Sequence, residues 1–316
     1  MEQAVRIPTV WRMRVHTTGE EADPNKTYPF LRERGLLGIG WKLGEIPKDA
    51  DDAIRLAREK YVIEPENKKK KPHAVSIVRR FAKDMQIGDL VWVRHKNLFA
   101  LYQITGDWEY KQGEEWDTHD VHFVREAKII YETTEPPIGP IFSSLLGRLQ
   151  TISKFQKHKE LVTVYSLWLC NKYSKGSCPP VSAINLKSTR LIDLFSPEEL
   201  EDVVGIYLQV KNGFVFVPSS RTRADNTAGY EYILKDKSGN PIFVQVKTSE
   251  IDGPEYNEKN WVLFSRDNYS SLAERYPKAT VLSPDTIEQF VQQNIKIMPT
   301  KIKLLAQLFD ELKSGQ

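Results

Sequence analysis

Residues 229–248 read GYEYILKDKSGNPIFVQVKT. Two apolar runs, 230–234 and 242–248, flank the polar segment KDKSGNP. Ser-Gly-Asn-Pro cannot continue a strand, so the stretch predicts a β-hairpin with a loop of several residues. Side chains alternate across a strand. Phe243, Gln245 and Lys247 therefore share one face, and Ile242, Val244 and Val246 the other. On the first strand Glu231 lies on the face of Ile233. A hairpin register can set Glu231 beside Gln245 and Lys247, which brings a carboxylate, an amide oxygen and an ammonium into one cluster. Oxygen donors of this kind suit Mg²⁺, with Mn²⁺ as the alternative ion. A lysine beside them can orient an attacking water or stabilise charge developing on a phosphate. An ordinary surface hairpin with one Lys and one Gln on its wet face would show the same pattern.

The spacing and residue types resemble the PD-(D/E)xK nuclease superfamily, in its Mrr-like branch, whose second half-motif is written QxK. That half-motif stands here as Gln245-Val246-Lys247, and Gly229-Tyr230-Glu231 stands where the branch has Gly-x-Asp. Glu replaces the more usual Asp at 231, and Gln replaces an acid at 245; the second departure is normal in this branch. The resemblance implies Mg²⁺-dependent phosphodiester hydrolysis. Glu231 and Gln245 would hold the ion with a backbone carbonyl near Val246, and Lys247 would assist the attacking water.

Upstream, Ser196-Pro197-Glu198-Glu199 predicts a helix start: Ser196 caps, Pro197 suits the first turn and Glu199 completes a capping box. Leu200, Val203, Val204 and Tyr207 form its buried stripe, and Glu201 falls on the edge of that stripe. Leu200-Glu201 matches the position where Mrr-like nucleases carry a helix acid, which makes Glu201 the expected third metal-site residue. An exposed helix glutamate is the plainer alternative. From Glu198 the order reads α, β, β, β, α-rich, β, α, β, α, which fits the superfamily's central mixed sheet flanked by helices. The stretch 300–312 predicts an amphipathic helix for packing or dimerisation, so a homodimer stays open.

Length supports two domains, since the chain has 316 residues. The composition, 40% hydrophobic and 28% charged, is that of an ordinary soluble globular protein. A formal charge of +3 is too small to argue for nucleic acid by itself. Cys170 and Cys178 lack the partners of a zinc site, and free thiols in a reducing cytosol are expected. No signal-peptide or membrane-span run is visible, which predicts a cytoplasmic protein.

The first part of the chain predicts strands at 9–15 and 36–41, helices at 51–61 and 75–85, then a strand-rich meander over 90–131. A short helix-like stretch falls at 28–34. This order fits a small mixed barrel better than a doubly wound sheet. Residues 8–133 resemble the PUA-like group that includes the EVE and YTH domains, through RGLLGIGW at 34–41, IGDLVWVR at 87–94 and LYQITGDWEY at 101–110. The resemblance implies a module that takes a flipped, modified base into an aromatic pocket, by stacking and by hydrogen bonds to the base edge. Trp41, Trp108 and Tyr110 are the first pocket candidates, with Trp11 and Trp92 next; core packing competes for each tryptophan. Trp108 and Tyr110 follow Gly106-Asp107, read as a loop edge. His119 and His122 form an HxxH whose spacing, on a strand, puts them on opposite faces.

Thr133 to Ser144, TTEPPIGPIFSS, reads as a domain boundary, because its prolines oppose regular structure. Residues 145–173 then read as helical. The expected organisation is α/β and α+β in two domains. A PUA-like mixed barrel occupies 1–133, a linker and helical connector 134–184, and a restriction-endonuclease-like mixed sheet flanked by helices 185–316. Lys69 and Lys70 in the KKKK run, and Arg221 and Arg223 before the hairpin, are candidates for touching a DNA backbone. Together these readings predict a modification-dependent restriction endonuclease acting on double-stranded DNA. The alternatives are a nuclease for modified RNA and a non-catalytic nucleic-acid-binding protein.

Overall fold

The computed structural model describes residues 6–15, 22–63, 70–146, 151–175, 178–181, 190–221 and 229–314. The chain divides into two compact units, 1–186 and 187–316.

The first unit is a curled six-stranded sheet with helices. Its strands are β1 (Val10–Arg14), β2 (Leu36–Ile39), β3 (Leu90–His95), β4 (Leu98–Tyr110), β5 (Phe123–Thr133) and β6 (Ile152–Lys154), in the order β2-β5-β4-β3-β1-β6. Only β1 and β3 pair in parallel. The β4–β5 register shifts between Leu101 and Tyr102 and again between Ile104 and Trp108. Such bulges bend a strand and raise its twist, which curls the sheet. Gly106-Asp107 therefore sits inside one long strand, and the loop edge expected there is a bulge. Helices α1 (Pro24–Glu33), α2 (Ala50–Arg58) and α3 (Pro72–Arg79) precede β3. Asp49 caps α2 by accepting the Asp52 N–H at 2.8 Å. Helices α2 and α3 each run on into a π-helical turn, Glu59–Ile63 and Arg80–Asp84. Their apolar side packs with Trp11, Met13, Val91, Val93, Tyr102 and Phe123 in the main core. Gly38 is a close approach between chain segments: a Cβ there would lie 2.6 Å from Val121 Cγ1. A five-residue helix, α4 (Glu114–Thr118), joins β4 to β5.

Four expectations are corrected here. Residues 134–184 are no connector: α5 (Gly139–Leu146) starts within the proline-rich stretch and contacts β1 and β3, with Ile138 and Ile141 fully buried. Pro140 falls in its first turn, where a missing N–H costs nothing. The helix expected over 145–173 is broken by β6, which pairs antiparallel with β1; α6 (Lys159–Tyr173) then packs on β5 and β1. Cys170 and Cys178 are not free thiols but form a disulfide across the turn after α6. Trp11 and Trp92 present no face to a ligand, because both are fully buried. Their indole N–H groups donate to Asp89 Oδ2 at 2.8 Å and to Ser166 Oγ at 2.9 Å, as buried tryptophan requires.

The second unit is a five-stranded mixed sheet with helices. Its strands are β7 (Val215–Phe216), β8 (Tyr232–Lys235), β9 (Pro241–Lys247), β10 (Trp261–Ser265) and β11 (Thr280–Leu282), in the order β11-β10-β9-β8-β7. Strands β9, β10 and β11 run parallel, while β7, β8 and β9 alternate. Helix α7 (Pro197–Asn212) opens with the predicted capping box, in which Ser196 N donates to Glu199 Oε2 at 3.0 Å. It ends at Gly213, whose φ of 69° is the left-handed cap that glycine adopts freely. Helices α8 (Tyr269–Arg275), α9 (Pro284–Gln293) and α10 (Thr300–Ser314) complete the unit. Helix α7 contacts β9 and β7. The Phe243 face carries a separate cluster of Ile251, Tyr256, Trp261, Leu263, Leu272 and Tyr276. The face of β9 that carries Phe243 is therefore largely covered: Gln245 is buried and Lys247 is partly exposed.

Among the described residues, no helix is long and apolar enough to cross a membrane.

Candidate functional site

The β8–β9 register pairs Tyr232 with Val244 and Ile233 with Phe243, and Glu231 directly precedes the first paired residue of β8. The Glu231 N–H donates to Val244 O at 2.8 Å, which holds the start of the strand in place. On the shared face Lys247 Nζ lies 2.7 Å from Glu231 Oε1. The predicted carboxylate and ammonium are thus paired, and Gln245 lies two residues before Lys247 on β9.

Gln245 is buried, and among the described residues its side-chain oxygen Oε1 has no hydrogen-bond partner. A buried amide oxygen left alone costs about 1–3 kcal/mol, so such a group calls for a partner. An amide oxygen is a donor that a hard cation takes. Carbonyls two residues apart on a strand point the same way. Val244 O is directed at β8, so Val246 O is directed to that side too, past the first β8 pair.

Helix α7 brings the second carboxylate. The Tyr232 hydroxyl donates to Glu201 O at 3.1 Å, and it fits because residue 205 is glycine: a Cβ there would stand 3.3 Å from that hydroxyl. Glu201 is therefore no solvated helix acid. Burial, then the nearby charge of Glu231, pushes its carboxyl up to about 7, against the opposing pull of Arg221. Arg221 Nη2 lies 3.2 Å from Glu201 Oε2 and 3.8 Å from Asp202 Oδ1. Asp202 is also paired with Lys301 of α10 at 2.7 Å, and the same ammonium is 3.3 Å from the buried Glu199. The result is a chain of charges from α10 through α7 to the hairpin. Among the described residues no group of three His, Cys, Asp or Glu side chains could hold a metal ion. The expected donors are oxygens: the Glu201 and Glu231 carboxylates, the Gln245 amide and the Val246 carbonyl. That set fits a Mg²⁺-like ion, which keeps several of its waters.

Of the expected backbone contacts, Lys70 is exposed, and Arg221 faces Glu201. Lys69 and Arg223 lie outside the described residues.

In the first unit Trp41, Trp108 and Tyr110 are half-buried and pack on one core cluster. Trp41 has a φ of 74°, an outlier for a bulky side chain. Two rings meet it edge-on: Tyr61 at 5.1 Å and His73 at 5.2 Å between centroids. Neither was singled out from the sequence. Tyr61 reads as helix core, and His73 has no spacing partner; the π-helical turn that presents Tyr61 has no sequence signature. Tyr110 offers its ring alone, because its hydroxyl accepts the Leu43 N–H at 2.6 Å. The HxxH pair is not on a strand. His119 ends α4 and stacks on Phe30 at 4.0 Å, while the buried His122 lies with Nδ1 3.2 Å from Lys111 O.

A family model described as a domain of unknown function (DUF8426) matches residues 11–156. Those limits run past 133 and include β6. No curated protein and no solved structure matches the chain.

Proposed function

We propose that the chain is a modification-dependent endonuclease: the first unit reads a modified base in double-stranded DNA and the second hydrolyses a phosphodiester bond. The observation that carries the reading is the Glu231–Lys247 pair beside the buried, unpartnered Gln245 Oε1, with Glu201 close enough to feel the Glu231 charge. The second unit's mixed sheet between helices is the frame expected of the PD-(D/E)xK superfamily, and the curled first sheet suits the PUA-like resemblance.

Glu231, Gln245 and the Val246 carbonyl would hold a Mg²⁺ or Mn²⁺ ion, with Glu201 completing the set. The bound ion supplies Lewis-acid stabilisation of the phosphate and lowers the pKa of water. Lys247 orients the attacking water and offers its ammonium to charge building on the phosphate oxygens. Glu231 positions that ammonium. Gln245 brings no charge of its own, so the donor set is less negative than one with an acid at 245. In the first unit Trp41 and Trp108 offer faces on which an extruded base can stack. A strained backbone at Trp41 is worth its cost of about 1–3 kcal/mol where it aims a ring at a ligand.

Digestion of DNA panels bearing different modified bases, with and without Mg²⁺, tests the reading. Cleavage should need both a modification and the ion. Cleavage of modified RNA alone would move the activity to the alternative substrate, and no cleavage of either nucleic acid would leave a binding protein.

A further inference from the structure

A cation already sits on the helix carboxylate of the candidate site. Arg221 Nη2 is 3.2 Å from Glu201 Oε2, and Glu201 is largely buried whereas Arg221 is about half-exposed, with side-chain accessibilities of 16% and 48%. The backbone beneath Arg221 is pinned. It follows the 3₁₀ turn Pro218–Ser220, where Ser220 Oγ accepts the Ile233 N–H at 2.7 Å and donates to Val217 O at 2.6 Å. Ile233 is two residues from Glu231, so the Arg221 backbone is registered against the hairpin while its guanidinium faces solvent.

The neighbouring charges leave Arg221 dispensable to the acids once another cation arrives. Asp202, its second partner at 3.8 Å, is held more closely by Lys301 at 2.7 Å. Glu231 has Lys247 at 2.7 Å. Among the described residues, only Glu201 depends on Arg221 in this cluster of ion pairs. A guanidinium and a divalent cation repel each other, so both on one carboxylate is unfavourable. A freed guanidinium at this rim has five donors in a planar fork that matches a phosphate.

We propose that Arg221 is an exchanging catalytic residue: it neutralises Glu201 while no metal is bound, and it turns to a non-bridging oxygen of the DNA phosphate when Glu201 ligates a divalent cation. This rests on the nuclease reading of the same site. It makes ion and DNA binding mutually supportive, because the contact each needs is released by the other.

The test uses the full-length protein and a short DNA duplex, with Ca²⁺ as the ion. Ca²⁺ is too large for the near-octahedral Mg²⁺ geometry and serves as a binding probe. Duplex affinity is measured in Ca²⁺ and in EDTA for the wild type, Arg221→Ala and Arg221→Lys, and Ca²⁺ affinity by calorimetry without DNA. Thermal melts check folding. We expect Arg221→Ala to bind duplex as the wild type does in EDTA but about tenfold more weakly in Ca²⁺, the scale of one charged hydrogen-bonding contact. Ca²⁺ alone should bind Arg221→Ala more tightly than wild type. Arg221→Lys, which keeps the charge without the fork, should fall between. Equal weakening in EDTA and Ca²⁺ would mean a permanent phosphate contact and overturn the exchange; no weakening in either would leave a static ion pair and overturn it too. Calcium heat that vanishes in Glu231→Gln while Arg221→Ala shows no ion-dependent effect defeats the exchange alone. Absence of Ca²⁺ binding in the wild type defeats the metal-site reading with it.

Discussion

The Tyr232 hydroxyl donates to the backbone carbonyl of Glu201 at 3.1 Å, which ties the first hairpin strand to the middle of α7. This bond fixes the spacing between the two halves of the candidate site, because Tyr232 adjoins Glu231. Tyr232→Phe should lower stability by about 1 kcal/mol, the net worth of one hydrogen bond, as read from urea unfolding. Gly205→Ala should destabilise the unit although alanine has the better helix propensity, because its Cβ would crowd that hydroxyl. An unchanged midpoint for both variants would show that α7 is held by other contacts.

Lys247→Ala should reduce cleavage by about a hundredfold or more, the scale seen when one preorganised transition-state group is removed. Its pair with Glu231 is partly exposed, so folding should change by no more than about 1 kcal/mol. Cutting at the wild-type rate by a folded Lys247→Ala protein would remove the lysine from the mechanism.

Glu201 gives the metal-free protein a specific pH dependence. Its carboxyl is raised from 4.5 to about 7 in the folded state. Between these values the folded protein keeps a proton that the unfolded chain has released. The stabilisation from this group is therefore fully present below the unfolded value of 4.5 and is lost as pH rises through 7. Urea midpoints in EDTA across this window should fall with rising pH in the wild type and fall less steeply in Glu201→Gln. A variant with an unaltered slope would place the titration elsewhere.

The half of the site on the hairpin is legible in the sequence because period-two alternation and a Ser-Gly-Asn-Pro turn leave few registers, and the register decides which side chains meet Glu231. Helix α7 is legible through its cap. What escapes a reading along the chain depends on distant partners. Ile152-Ser153-Lys154 carries no strand signal of its own; it is a strand because β1 offers it an edge. Pro140 suggests a breaker yet lies where a helix tolerates it. The burial of Gln245 follows from the cluster over Phe243 and Trp261, which the alternation alone cannot supply. The Cys170–Cys178 bond likewise depends on how the chain turns after α6.

Base selectivity should depend on Trp41 and Trp108 and not on Trp11 or Trp92 as walls. Stacking on one ring is worth about 1–3 kcal/mol per base, so Trp41→Ala or Trp108→Ala should weaken binding to modified duplex about tenfold. Binding to unmodified duplex rests on phosphate contacts and should hold steady. The titration is best made in full-length Lys247→Ala protein, with circular dichroism as the folding control. Equal affinity for every modified and unmodified duplex would remove the reader role.

A fragment ending at residue 140 should fail to fold, whereas one ending at 186 should give a cooperative melt. The shorter piece lacks Ile141, β6 and the Ser166 hydroxyl that accepts from the Trp92 indole. A sharp thermal transition from the 1–140 fragment would contradict this.

The order of the first sheet carries a temporal consequence. Strand β1 is synthesised before the other strands of its sheet, yet it lies between β3 and β6. Its parallel partner begins at Leu90 and its antiparallel partner at Ile152. Antiparallel β3, β4 and β5 are joined by local connections, while Val10–Arg14 must wait for the chain to return across more than a hundred residues before both its edges are paired. On the ribosome the oldest strand is thus the last to be sealed, and until Lys154 emerges its open edge is a place where a nascent chain could pair with the wrong neighbour.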